Sequence, residues 1–347
     1  MQFDPSHNSE MITYYCTNYT LCPKNESFLA TWQFVALFTH TVLILQVPMI
    51  IFTGYCIIKK TPKAMGSLKW AMLNVHFWSS LVDIIICSLV TPYLFDSNMS
   101  GFSIGLLTPL GVPQRVQTLL SFLSVGFLFN SIAALFENRS SSFELNRFRI
   151  RRSSTRVMFF GGNFLLFSGA CLPIFWNVAP NQDAAKLEIL KKLVCPTEEF
   201  FTLPVHILIT SPSMGFYLMT VFFSQWLWTM FSTLFFISCA VYYIYFSTKH
   251  FTSEATKKLQ KTFFIGNLVQ ISIPLVFWII PCVLMTLYTA FYSYNQVVNN
   301  IAVAILSLHG IVSMLATLYI HLPYRNFICK LLGKMEKVRI SGSSISF

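Results

Sequence analysis

The stretch YLMTVFFSQWLWTMFSTLFFISCAVYYIYF, residues 217–246, contains no Asp, Glu, Lys or Arg. A membrane-spanning helix needs about 20 consecutive and mainly apolar residues, and this stretch exceeds that length. Similar apolar stretches recur along the chain, so the sequence predicts seven membrane-spanning helices. The predicted spans run near 33–58, 70–94, 116–135, 157–177, 217–246, 263–291 and 300–322.

The composition agrees with a membrane protein. Of the 347 residues, 54% are hydrophobic and only 11% are charged, whereas a soluble domain carries about 25% charged residues. Segment 201–216 is also apolar, but Pro204 and Pro212 bracket it. We interpret it as a loop leading into the fifth span. The predicted fold class is therefore an all-α membrane protein, a bundle of seven transmembrane helices.

Positive charge is distributed unequally between the two sides of this bundle. If the N-terminus lies outside, all but five of the 24 Lys and Arg residues fall on the cytosolic side. The exceptions are Lys24, Arg115, Lys186, Lys191 and Lys192. Because Lys and Arg concentrate in cytosolic loops, the N-terminus is predicted outside and the C-terminus in the cytosol.

The chain then divides into three parts. They are an extracellular tail (1–32), the seven-transmembrane domain (33–322) and a cytosolic tail (323–347) with a short amphipathic helix. The net charge of +11 lies mostly in short connections between apolar spans, so it does not indicate a nucleic-acid partner.

The predicted outside carries three N-glycosylation sequons and three cysteines. The sequons begin at Asn18, Asn25 and Asn98, and such sites are used on extracellular loops. The cysteines are Cys16, Cys22 and Cys195. In this oxidising compartment they allow one disulfide and leave one thiol over. Cys195 paired with either N-terminal cysteine would tie the tail to the loop 178–216, and the sequence does not choose between them.

Asp83 is the only acidic residue inside a predicted span. An ionisable group there is costly and indicates function, either as a cation site or as a polar hub that repacks on activation. The alternative is a structural Asp held by Ser79 and Ser80, one turn away. His76 and His309 are candidates for the same hub, although satisfied packing histidines also fit, because their spacing does not suit a metal.

Two further features could take part in a conformational change. Glu137 and Arg139 end the third span and could pair with each other or with a neighbouring helix, and breaking such a pair is a plausible switch. The alternative is ordinary interfacial charge. In the sixth span, Pro274 and Pro281 predict a kink around Trp278, either mobile or static.

The cytosolic tail begins with a short basic, amphipathic stretch, YRNFICKLL at 324–332. Such a stretch can lie along the inner leaflet. Cys329 within it is a palmitoylation candidate, with a plain buried thiol as the alternative.

Several motifs in fixed order carry a family resemblance. They are YCII at 55–58, KTPKAM at 60–65, LNVHFWS at 73–79 with Asp83, ALFENR at 134–139, Gln182-Asp183 through Cys195-Pro196, His309-Gly310, and HLPYR at 321–325. With these motifs the chain resembles the nematode serpentine chemoreceptors of class H, the Srh family, from about Phe28 to Phe327.

The resemblance implies a G-protein-coupled-receptor-like chemoreceptor in the plasma membrane of a sensory cilium. It implies a small odorant or pheromone-like ligand, in an outward cavity lined by the third, fifth, sixth and seventh helices, and a heterotrimeric G protein as partner. It places Glu137, Arg139, Tyr324 and Arg325 at the switch and G-protein face. No cofactor or metal is expected.

Other functions remain as alternatives. One is a ligand-gated channel, although the spans lack a ring of charges. Another is a non-signalling partner subunit of another receptor. An enzyme is not expected, because the sequence has no HExxH or GxSxG motif and no paired membrane acids.

Overall fold

The computed structural model is mainly helical and describes residues 9–22, 27–62, 66–96, 100–176, 178–179, 181–191, 193, 195–209, 211–246, 254–291 and 294–333. Seven helices in these residues are long and apolar enough to cross a membrane. The predicted seven-helix fold is thereby confirmed. The spanning helices are α2 (Trp32–Lys60), α3 (Gly66–Ile84), α4 (Gln114–Ser141), α5 (Ser153–Trp176), α8 (Pro212–Val241), α9 (Glu254–Phe291) and α10 (Gln296–Ile320).

Shorter elements complete the chain. The helices α1 (Ser9–Thr17), α6 (Gln182–Leu190) and α7 (Glu199–Thr202) precede or connect the spans, and α11 (Leu322–Leu331) follows the last of them. Three strands, β1 (Pro92–Asp96), β2 (Ser100–Ser103) and β3 (His206–Ile207), form one antiparallel sheet in the order β1-β2-β3.

Several helix starts follow standard capping chemistry. The side chains of Thr31, Asn181, Ser211 and Asn295 accept hydrogen bonds from backbone N–H groups in the first turns of α2, α6, α8 and α10. These bonds satisfy donors that have no partner within the helix. Pro212, which was expected in a loop, occupies the first turn of α8, where its missing N–H costs nothing.

The second predicted span, 70–94, extends beyond the end of the helix. The α3 helix passes into a π-helical turn, Ile85–Leu89, and residues Pro92–Asp96 form a strand instead of continuing the helix. Pro92 cannot donate a helical hydrogen bond, and Thr91 has a positive φ of 46°. The third predicted span, 116–135, is too short, because α4 continues to Ser141.

The two ends of the bundle differ in structure. The sheet end carries β1–β3, α1, α6 and α7, which share one hydrophobic cluster with residues at the starts of α2 and α10. In that cluster Tyr93, Phe95 and Phe200 are fully buried. The opposite end, which we call the basic end, contains the end of α4, the start of α5 and α11. The main core between the spans forms a second cluster reaching toward the basic end.

Candidate functional site

Arg139 ties the end of α4 to α9 at the basic end. The residue is only 4% exposed, and its Nη2 donates a hydrogen bond to the backbone carbonyl of Gln260, 2.6 Å away. A hydrogen bond from a charged donor is stronger than one between neutral groups. We call this contact between Arg139 and Gln260 the clasp.

Glu137, half a turn before Arg139, forms an ion pair with α5. Its Oε2 lies 2.6 Å from Nε of Arg156, and Arg156 Nη2 donates to Oε1 at 3.0 Å. Ser141 Oγ donates to the same Oε1 at 2.5 Å. Glu137 is fully buried, so removing one partner of this pair leaves an uncompensated buried charge.

Glu137 and Arg139 therefore have separate partners. The sequence left open whether they pair with each other or with neighbouring helices, and the structure gives each a partner on a neighbouring helix. Together they join α4 to both α5 and α9 at the basic end. A rearrangement of either contact changes the relative position of these helices.

Tyr324 and Arg325 lie at the start of α11. The Tyr324 side chain is buried, and its hydroxyl forms a hydrogen bond with Thr61 Oγ1 at 2.7 Å. This bond holds α11 against the end of α2. The Arg325 guanidinium lies 5.9 Å from the ring centroid of Tyr319. Cys329, farther along α11, is a half-buried free thiol.

A polar core lies between α3 and α10. Asp83 Oδ1 is 3.2 Å from Nδ1 of His309, and both side chains are 1% exposed. Nearby, Gln46 of α2 donates from Nε2 to the carbonyl of Ser307. Within the described residues, neither Ser79 nor Ser80 forms the hydrogen bond to Asp83 that the structural alternative invoked.

His76 lies apart from this pair. Its Nε2 is 3.0 Å from the carbonyl of Ile50 on α2, so it contributes to the packing of α2 against α3. The structure thus brings Asp83 and His309 together and gives His76 a separate partner.

The sixth span is one continuous helix, α9, through Pro274 and Pro281. Trp278 lies between the two prolines, and its ring meets that of His309 edge to face, with centroids 6.0 Å apart. Because His309 also contacts Asp83, a short chain of contacts connects α3, α10 and α9 in the middle of the bundle.

A disulfide joins Cys22 to Cys195 at the sheet end, and Cys16 is a free, exposed thiol. The structure thereby distinguishes the two pairings that the sequence left open. The bond ties the N-terminal segment to the loop before α7. Next to it, Tyr14, Tyr15 and Tyr19 pack against the ring of Phe201.

Burial shifts several titratable groups outside the spans. It raises the pKa of Tyr19 to about 12, with smaller contributions from Glu198, Tyr15 and Glu199. Burial is also the main cause of the lowered pKa of His206, to which Arg115 and Lys186 add. These groups therefore stay uncharged near neutral pH.

The glycosylation candidates are only partly covered. Asn18 is exposed beside the short turn Tyr19–Leu21, while Asn25 and Asn98 lie outside the described residues. In the part of the chain that is described, no group of three or more His, Cys, Asp or Glu side chains could hold a metal ion.

Sequence reasoning missed Arg156 and Gln260, the partners of Glu137 and Arg139. A basic residue at the start of α5 looks like ordinary interfacial charge, and Gln260 takes part through its backbone, which has no sequence signal. Thr61, the partner of Tyr324, was also missed.

The chain is a membrane protein with seven transmembrane helices and a GPCR-like fold. Its second span carries a buried acid, and its third span ends in charged contacts with neighbouring helices. A family model described as "Serpentine type 7TM GPCR chemoreceptor Srh" matches residues 30–334. The chain belongs to this chemoreceptor family, as its motifs predicted. It is 34% identical to serpentine receptor class H-72 of Caenorhabditis elegans over 330 residues, which cover 95% of this chain and 94% of that protein.

Proposed function

We propose that this chain detects a small odorant or pheromone-like molecule and signals through a heterotrimeric G protein. The observation that carries the proposal is the clasp between Arg139 and the carbonyl of Gln260. It joins α4 to α9 at the end of the bundle where a cytosolic partner would bind. Family membership supports the receptor class. The clasp is a contact that can be closed in one receptor state and open in another.

The sheet end faces the outside and the basic end faces the cytosol. The concentration of Lys and Arg at the basic end supports this orientation, and the Cys22–Cys195 disulfide fits an oxidising exterior. The protein then resides in the plasma membrane, and by family resemblance in a sensory cilium. Asn18, Asn25 and Asn98 are glycosylated on the outside, and Cys329 is palmitoylated at the inner leaflet.

Ligand binding favours a state in which the clasp is open. A ligand shifts such an equilibrium only as far as it binds one state better than the other. With the clasp open, the start of α9 moves away from α4 and exposes a basic cleft to the G protein. In this movement α9 flexes at Pro274 and Pro281. Trp278 transmits the movement to His309, and His309 transmits it to Asp83.

The remaining site residues have supporting roles. Glu137 fixes α4 to α5 through Arg156, so that α9 moves against a rigid pair. Tyr324 anchors α11 beneath α2, and Arg325 adds positive charge at the G-protein face.

A response assay in transfected cells tests this proposal. Cells that express the chain with a calcium reporter and a promiscuous G protein are screened with small volatile and water-soluble molecules. A ligand-dependent response is expected, and Arg139→Ala abolishes it at equal surface expression. Arg147→Ala is the matched control, because Arg147 is an exposed arginine near the same end of the bundle.

Other outcomes assign the alternative functions. Ligand-gated current in excised patches without G protein would indicate a channel. An absence of any response, combined with improved surface delivery of a co-expressed receptor, would indicate a partner subunit.

A further inference from the structure

A cavity of about 530 Å³ lies between α5 and α8, away from the clasp and the polar core. Its rim includes Met158 and Leu166 of α5, which are 75% and 77% exposed. Both helices are membrane spans, so apolar side chains exposed on them contact lipid. The cavity therefore opens sideways into the bilayer.

The back of the cavity is formed by buried aromatic and aliphatic side chains. Phe167 and Val221 are 5% and 8% exposed. The ring of Phe167 packs edge to face on Phe222, which in turn packs on Phe122 of α4. This wall separates the cavity from the inside of the bundle.

Three polar side chains, Asn163, Ser224 and Gln225, line this mainly apolar cavity. The Ser224 hydroxyl donates a hydrogen bond to the carbonyl of Val221 in its own helix, which leaves the two amides. Across the described ranges, the side chains of Asn163 and Gln225 have no hydrogen-bond partner. An amide facing hydrocarbon without a partner is costly, and amides in spans normally bond across to another group. Their position in a concave site points to an occupant that supplies hydrogen bonds.

The lining also restricts the charge of that occupant. Asp, Glu, Lys, Arg and His are absent from the residues that line the cavity. A carboxylate or ammonium would be uncompensated at this depth, so the occupant is neutral. An apolar body suits the aromatic wall, and a hydroxyl, carbonyl or amide suits Asn163 and Gln225.

The size of the cavity favours a small molecule over a second copy of the chain. Its volume falls within the roughly 300–1,000 Å³ typical of ligand sites. Along α5 it extends from Met158 to Ala170, roughly 18 Å of helix, whereas a packed transmembrane helix would run along about 30 Å of bilayer core.

We propose that this cavity is a binding site for a neutral amphiphile that enters from the lipid phase. Its hydrogen-bonding group meets Asn163 and Gln225. Its apolar body lies along Phe167 and along Trp228 of α8, which also lines the cavity. The site differs from the cavity that the family resemblance implied, which lay among the third, fifth, sixth and seventh helices.

The location connects this site to the basic end. Asn163 and Arg156 are seven residues apart on α5, about two turns, and so share one face of the helix. Arg156 pairs with Glu137 of α4. An occupant that shifts α5 therefore acts on the helix that carries the clasp, and this last step rests on the proposed function.

Gly162 provides a direct way to fill the cavity. It lines the cavity, and a Cβ built on it meets no heavy atom within 4 Å. Gly162→Leu therefore occupies the binding space without a clash at Cβ. Gly161→Leu is the matched control, since a Cβ there is equally unhindered and Gly161 does not line the cavity.

Photolabelling in lipid nanodiscs tests the proposal. The purified full chain is illuminated with a long-chain alcohol that carries a diazirine, or with the corresponding alkane that lacks the hydroxyl. The alcohol is expected to label residues 158–170 and 221–228 above other lipid-exposed spans, and excess unlabelled alcohol competes. Gly162→Leu removes this labelling, and Gly161→Leu preserves it.

The amides give a second, independent readout. Asn163→Leu and Gln225→Leu each lower the preference for alcohol over alkane by about fivefold, as expected for the loss of one hydrogen bond. If Gly162→Leu does not fold, as judged by size-exclusion and thermal unfolding, these two variants decide the question.

Three results would overturn the proposal. They are uniform labelling of all lipid-exposed helices, equal labelling in Gly162→Leu and Gly161→Leu, or cross-links from the cavity to a second copy that block the alcohol. Labelling needs no G protein, so intact labelling in a chain that fails the response assay would contradict the proposed function alone.

Discussion

The carboxylate of Asp83 on α3 occupies the space where a side chain on Gly310 of α10 would begin. A Cβ built on Gly310 would collide with all three atoms of that carboxyl group. The neighbouring His309 contacts the same carboxylate at 3.2 Å. Glycine at position 310 is thus a consequence of burying an acid between two spans.

Gly310→Ala is expected to destabilise the protein by about 1–3 kcal/mol, because overpacking of this size has that cost in well-packed cores. The measurement is the apparent Tm of purified protein in detergent. Gly169→Ala is the control, since a Cβ there meets open space, and its Tm is expected to stay near that of the wild type. Equal Tm values for the two variants would show that Asp83 does not pack against Gly310.

Cys22→Ser is expected to lower the free energy of unfolding by about 2–4 kcal/mol, because it removes a covalent tie between residues far apart in sequence. Cys16→Ser is the control, because Cys16 is free and exposed. Apparent Tm and non-reducing alkylation mass measure both effects. The pairing would be wrong if Cys16→Ser produced the larger loss or exposed the thiol of Cys195.

The seven spans could be predicted because length and hydropathy alone report whether a segment can cross a bilayer. Their ends could not. Residues 90–95 are as apolar as a helix end, yet Thr91 turns the chain and Pro92 starts a strand. The three short strands were missed for two reasons. The β1 strand lies in an apolar stretch that was assigned to the second span, and β3 forms only by pairing with β2, which lies far earlier in the sequence.

The candidate site was predicted in part for a similar reason. The residue types and positions of Glu137, Arg139 and Asp83 identified them as polar groups inside or at the end of spans, with a functional role and an ordinary structural or interfacial role as the alternatives. Their partners are decided by helix packing, and no local pattern distinguishes Arg156 from the other arginines of that basic segment. The cavity between α5 and α8 is likewise a product of packing.

The ion pair between Glu137 and Arg156 gives a double-mutant prediction. Arg156→Met is expected to lower the free energy of unfolding by about 2–3 kcal/mol. Breaking a fully buried pair costs roughly 3–5 kcal/mol, and the expected loss is smaller here because the Arg156 side chain is 35% exposed. Adding Glu137→Gln removes the unpaired charge and recovers part of that loss. Apparent Tm of the single and double variants measures the coupling, and strictly additive losses would contradict a direct pair.

His321 gives a pH prediction at the junction of α10 and α11. Burial lowers its pKa to about 4, and its ring stacks on Phe263 at 4.9 Å. In the unfolded chain a histidine titrates near 6.5, so between these values the unfolded state binds more protons. The stability that depends on a neutral His321 is therefore fully present above about pH 6.5, and it is lost as the pH is lowered toward about 4.

Lowering the pH from about 7 to about 5 is expected to cost about 2 kcal/mol through His321. The apparent Tm across this pH range measures the effect. In His321→Gln the dependence of apparent Tm on pH is expected to be flatter, whatever the Tm of this variant at neutral pH. An unchanged slope in His321→Gln would assign the pH dependence to other groups.

The account depends most on how the chain is threaded through the membrane, because the clasp must face the G protein and the disulfide the exterior. Epitope tags at the two ends, stained in intact and in permeabilised cells, measure this directly. We expect the N-terminal tag to stain in intact cells and the C-terminal tag only after permeabilisation. Staining of both tags in intact cells, or of neither, would contradict seven crossings and the receptor function with them.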